Sequence, residues 1–187
     1  ICFFSISLIY GCTVATPIQQ FPEITFSHLE TVKIDVARIE VENRFRAPIT
    51  APHIEHLLPT SPTKAMEQWF KDRFQPVGTS GALRLVIEDA RAIEKPLHLD
   101  KSFKGQFTKQ QSQLYEMTTQ ASLHIIDVDG NILDTAKAKA ERSITTREDI
   151  SLNDRHKLWL ETVSALMNDF NESIEPYIQS YLKNWLR

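Results

Sequence analysis

Cysteine is nearly absent from this 187-residue chain: there are two, Cys2 and Cys12, and none follows position 12. A zinc–cysteine site and a disulfide framework within the folded part are thereby excluded. Glycine is scarce as well, with five residues, so a glycine-rich nucleotide loop is not expected. Positive charge is not in surplus. Lys and Arg number 21 against 24 Asp and Glu, a formal net charge of −3, and no basic cluster occurs, which argues against a nucleic-acid partner. No G-x-S-x-G nucleophile elbow is present. Finally, no apolar run reaches the roughly 20 residues that a membrane-spanning helix needs.

What the chain does have is an uncharged leader, ICFFSISLIYGC, before an ordinary globular composition with 42% hydrophobic and 24% charged residues. Residues 1–11 fit the apolar segment of a signal peptide. Ile9-Tyr10-Gly11-Cys12 is similar to a bacterial lipobox: an aliphatic residue, a variable one, a small one, then the cysteine that receives lipid. Tyr10 is unusual in that pattern. Thr13-Val14-Ala15 offers an ordinary cleavage site instead, and a buried first strand over residues 3–10 is the structural alternative. The lipobox reading makes Cys12 the first mature residue, carrying two or three acyl chains that anchor the protein to a membrane. Residues 12–31, with Pro17 and Pro22, then read as a tether, extended near Ile24–Phe26, and residues 32–187 as a single domain.

Within that domain, VKIDVARIEVENRF (32–45) alternates with a phase slip near Ala37-Arg38, which predicts one long strand with a β-bulge. A proline-rich loop follows. Ser61 and Pro62 then open a helix as N-cap and first helical residue, with Ala65, Met66, Trp69, Phe70 and Phe74 on one side. A strand is expected over 82–94, a loop or lid over 95–113, and an unbroken alternating strand from Tyr115 to Ile125. Asp129-Gly130 signals a hairpin turn. In the next strand, Ala136, Ala138 and Ala140 form a small-residue face that lets a helix approach closely. Residues 151–186 carry an amphipathic helix, capped by Ser151 with Asp154. Its stripe is Trp159, Val163, Leu166, Phe170, Ile174, Tyr177 and Tyr181, and Pro176 is expected to kink or divide it. The order β-α-β-β-β-α predicts an α+β two-layer sandwich, an antiparallel sheet of about four strands with two helices on one face.

Candidate chemistry is thin. Asp127-Val128-Asp129-Gly130-Asn131 resembles part of a calcium loop, but the positions required for an EF-hand fall on Ile125 and Ala136, so a plain hairpin turn is expected. His53-Ile54-Glu55-His56 puts two imidazoles and a carboxylate within four residues, but zinc takes at least three protein ligands and preferably helical spacing, and Pro52 and Pro59 limit any helix here to a turn. No metal or other cofactor is expected. Glu88 and Asp89 are adjacent on a strand and point to opposite faces, so they cannot act as a carboxylate pair. No catalytic residue is identified, and an enzyme is not expected. Tyr177, Tyr181, Trp185 and Leu186, at the far end of the last helix, form a possible partner surface. Leu85, Ile87, Met117 and Leu123 would line a pocket if one opened between sheet and helices.

The stretch from ENRF (42–45) through IEHLLPTSPTKAMEQWFKDRF (54–74) to GTSG (78–81) resembles a family of small Gram-negative envelope lipoproteins, over most of residues 32–175. No functional residues of that family carry over to this chain. The element order and the leader also look, more distantly, like the lipopolysaccharide-assembly lipoprotein that plugs an outer-membrane barrel, and like auxiliary lipoproteins of lipid-trafficking ABC transporters. The resemblance implies a periplasm-facing lipoprotein on the outer rather than the inner membrane, without enzymatic activity. Such a protein would bind a protein of an envelope or lipid-transport machine, or else carry a lipid or glycan.

Overall fold

The structure is a computed structural model that describes residues 21–97 and 110–187. Among the described residues, seven strands and two helices follow one another as β1 (Val32–Ile34), β2 (Arg38–Asn43), α1 (Pro62–Arg73), β3 (Phe74–Pro76), β4 (Ala82–Asp89), β5 (Ala92–Pro96), β6 (Gln111–Ile126), β7 (Ile132–Arg147) and α2 (Leu152–Tyr181). A short 3-10 turn, Lys183–Trp185, closes the chain.

The main sheet is five-stranded and mixed, not antiparallel throughout as the element order predicts. β4 and β5 lie end to end along one side of β6, β7 lies along the other, and β2 adds to the outside of β4. β2 and β4 are parallel, with Ile39 opposite Leu83 and Val41 opposite Leu85. The reason is the crossover: α1 carries the chain back to the end where β2 began, so β4 must run in the same direction. A second, two-stranded parallel sheet joins β1 to β3. The phase slip at Ala37-Arg38 is therefore not a bulge in one long strand. It marks the point where the chain leaves the small sheet for the large one. The strand expected over 82–94 is likewise broken at Ala90-Arg91, although both pieces stay antiparallel to β6.

The alternation in β6 and β7 places one face of the sheet in the core. Leu83, Leu85 and Ile87 of β4 share that face with Tyr115, Met117, Ala121, Leu123 and Ile125 of β6, all buried. Ala136, Ala138 and Ala140 continue it on β7, where α2 packs closely. Both helices cover this face. From α1 come Ala65, Met66, Trp69 and Phe70; from α2 come Trp159, Val163, Leu166, Phe170 and Ile174. Ser61 accepts from the Lys64 amide and Ser151 from the Asp154 amide, so both N-caps form as expected. Trp69 stands edge-on to Phe170, with ring centroids 5.2 Å apart, and its indole N–H donates to Asn171 at 2.9 Å, tying the two helices together.

Two further differences concern the ends. Packing starts upstream of residue 32: Phe26 is buried and its amide donates to Asp72 at 2.8 Å. α2 runs unbroken through Pro176. The proline and Glu172, whose carbonyl loses its helical donor, are both exposed, so water can satisfy that carbonyl and the proline does not divide the helix. The leader with Cys12, and residues 98–109 of the expected lid, lie outside the described residues.

Candidate functional site

The four residues of the expected partner surface separate into two pairs. The buried stripe of α2 leaves Ile174 by steps of four, through Ile178 to Leu182, both fully buried. Tyr177 and Tyr181 therefore fall off the stripe. They are 43% and 55% exposed, and one turn apart on the same helix face their rings stack, with centroids at 6.1 Å and 9° between planes. Trp185 and Leu186 instead turn back onto the domain. The Trp185 indole N–H donates to Asp134 at 2.7 Å, its carbonyl accepts from the Asp35 amide at 2.8 Å, and Leu186 bridges to Ile34, the last residue of β1. Near the same end of β7, Ile132 and Leu133 are exposed, as is Val128 in the hairpin turn. Sequence reasoning missed these three; their signal was apolar side chains flanking a turn.

Leu85, Ile87, Met117 and Leu123 sit in the core at 0–1% exposure. A ligand pocket at that point would require these side chains to part.

At the opposite end of α2, Phe21, Leu57, Pro59, Leu152 and His156 line an open, mainly apolar cleft of about 490 Å³. Phe21 stands edge-on to His156 at 5.6 Å. Leu57 and Leu152 are 51% and 65% exposed. Leu152 is the first residue of α2 and lies outside its buried stripe, which is the only sign of it in the sequence.

The sheet face away from the helices is charged and internally paired. Glu40 accepts from Arg38 at 2.7 Å and from Arg84 at 3.0 Å. Glu42 pairs with Arg44 at 2.7 Å. Glu88 accepts from Lys137, Gln120 and Ser122, all within 2.7 Å. Its partial burial alone would raise its pKa, but those donors outweigh it and hold the carboxyl at about 2. His124 stands on this face too. Its burial, then Arg44, hold its pKa below the usual imidazole range.

The sequence motifs resolve into local structure. Glu55 is buried, bonded to His53 at 3.0 Å and to the Ala92 amide at 2.8 Å, whereas His56 faces solvent. Thus the two imidazoles do not converge. Among the described residues no three His, Cys, Asp or Glu gather as a metal site. Asp127 accepts from the amides of Asp129 and Asn131 at 2.9 and 2.8 Å, which closes the β6–β7 hairpin as an Asx turn. Glu88 and Asp89 diverge, Asp89 pairing with Arg91. No described helix is long and apolar enough to cross a membrane.

Among solved structures, the chain is similar to two lipoproteins. A minor lipoprotein from Acinetobacter baumannii matches with a TM-score of 0.39 and 12% identity, over 81% of this chain and 96% of that one. Rare lipoprotein B from Shewanella oneidensis matches with a TM-score of 0.32 and 11% identity, over 72% and 88%. No protein-family model matches the chain. No curated protein matches it by sequence.

Proposed function

We propose that this chain is a non-enzymatic, lipid-anchored accessory protein of the bacterial envelope that binds a protein component of an envelope or lipid-transport machine. Cys12 carries the anchor, and the domain faces the periplasm, on the outer membrane by the resemblance noted above. The observation that carries the reading is Ile9-Tyr10-Gly11-Cys12 at the end of an uncharged apolar leader, in a chain with no later cysteine. Partner binding is favoured over ligand carriage by the packing. Leu85, Ile87, Met117 and Leu123 are core residues, whereas Tyr177 and Tyr181 stand exposed on a long, continuous helix. Aromatic side chains held on such an element are suited to anchor a protein interface.

Metabolic labelling with a fatty-acid probe tests the anchor. The wild type takes up label and fractionates with membranes; Cys12→Ser does neither. An unlabelled wild type overturns the anchor.

A further inference from the structure

We infer that the apolar cleft formed by Phe21, Leu57 and Leu152 rests against the bilayer that holds the Cys12 anchor, so that the Tyr177–Tyr181 end of α2 points away from the membrane. The inference rests on the lipid-anchor reading of Cys12. Its independent support is the place where the chain enters the described domain. Phe21 touches His156 in the first turns of α2, and nine peptide units separate it from Cys12. Whatever their conformation, they reach at most about 30 Å at about 3.3–3.6 Å each. The cleft lined by Phe21 itself therefore lies within that distance of the lipid attachment. α2, with 30 residues, is about 45 Å long at 1.5 Å per residue, which puts the tyrosine pair a further helix length away.

The chemistry of the cleft fits a lipid surface more than a protein. Leu57 and Leu152 are large, aliphatic and more than half exposed, and they share the lining with Phe21 and Pro59, with Asn153 and His156 as its polar members. The net charge of −3 gives no general attraction to anionic headgroups, so the contact is apolar and insensitive to salt. A tethered domain needs little affinity for the surface. The anchor makes the contact intramolecular, and a few side chains entering the headgroup boundary then bias its orientation.

The test uses the mature lipidated protein in phosphatidylcholine vesicles, where Cys12 is blocked by lipid and no other cysteine remains. Leu57→Cys, Leu152→Cys and Tyr181→Cys are each labelled with an environment-sensitive fluorophore and mixed with lipids bearing a nitroxide on the acyl chain. Quenching at positions 57 and 152 is expected to exceed that at 181 at least twofold and to persist at 0.5 M salt. Equal quenching at all three positions, stronger quenching at 181, or none at 57 and 152 overturns the inference. Fatty-acid labelling of the same preparation separates the two readings. A lipidated protein unquenched at 57 and 152 overturns the bilayer contact and leaves the anchor standing; an unlipidated one overturns the anchor and the contact with it.

Discussion

The Trp185 indole N–H and the Asp134 carboxylate meet across 2.7 Å, joining the last turn of the chain to the start of β7. The bond fixes the C-terminal residues beside β1, where the Arg187 amide donates to the Lys33 carbonyl at 3.0 Å and its guanidinium pairs with Asp35. Asp134→Ala leaves a half-buried indole donor unpaired and is expected to cost about 1 kcal/mol. Asp134→Asn keeps an acceptor in place and should cost less. Urea unfolding of the two variants measures the difference, and carboxypeptidase should release the C-terminal residues faster from Asp134→Ala.

Arg73 is a buried cation with one anionic partner among the described residues. Its guanidinium donates to Glu175 at 2.6 Å, joining the end of α1 to α2. Two other guanidinium nitrogens have no bond among the described residues. Removing the acid strands the charge, whereas removing the cation does not. Because the Glu175 side chain is about one-third exposed, the cost falls below that of a fully buried pair. Glu175→Ala should lose about 2 kcal/mol, and Arg73→Met, which keeps the apolar stem, should lose less. Equal losses in chemical denaturation would remove the argument.

Acid sensitivity should concentrate at Glu88. An unfolded glutamate titrates near 4.5, and the folded carboxyl is held at about 2 by its three donors. Its pKa is depressed on folding, so its stabilisation is complete above about pH 4.5, shrinks as the pH falls, and is lost below about 2. Glu88→Gln cannot ionise. The stability gap between wild type and this variant should therefore narrow from pH 5 towards pH 2, as followed by urea midpoints at each pH. A gap that stays constant over that range would show that the three donors do not depress the carboxyl on folding.

These residues also show what a sequence can disclose. The β6–β7 hairpin was legible throughout: alternation from Tyr115 to Ile125, the Asp129-Gly130 turn and the alanine face at 136, 138 and 140 are all short-range signals. α1 was legible for the same reason, through Ser61, Pro62 and its stripe. The mixed sheet was not. Phase slips at Ala37-Arg38 look alike whether a strand bulges or leaves for another sheet, because the choice of partner is set by distant residues. The tyrosines were misplaced by one position. Ile178 and Leu182 compete with Tyr177 and Tyr181 for the same stripe, and the aliphatic pair wins because burying a phenol also requires a partner for its hydroxyl.

Gly78 should tolerate no side chain. A β-carbon there would stand 2.4 Å from the Asp35 carboxylate and 2.6 Å from the backbone between Asp35 and Val36. The Gly78 amide donates to the Val36 carbonyl at 3.0 Å in the same place, so the two segments cannot separate without losing a bond. Gly78→Ala is expected to cost about 2 kcal/mol or more through overpacking. Gly130 has open space around it, but its φ of 88° makes alanine there costly through backbone strain alone, at about 1 kcal/mol. Thermal denaturation should rank Gly78→Ala as the less stable of the two.

The tyrosine pair should separate stability from partner binding. Tyr177 and Tyr181 stack on each other and lie outside the buried stripe, so Tyr177→Ser with Tyr181→Ser removes apolar surface that the fold does not use. Its cost to stability should stay within about 0.5 kcal/mol for each substitution, the usual range for surface positions. If the pair anchors an envelope protein, the same variant should lose most of its crosslinking to that partner, because truncating a central aromatic at an interface commonly removes 2 kcal/mol or more of binding, about thirtyfold. A photo-crosslinker at Asn184, exposed one turn beyond Tyr181, supplies the readout in intact cells. Loss of a discrete crosslinked species in the double variant, with Tm and membrane fractionation unchanged, is the expected result. An undiminished crosslink would move the partner site off this end of α2. Absence of any crosslink in the wild type would count against a protein partner at the tyrosines altogether.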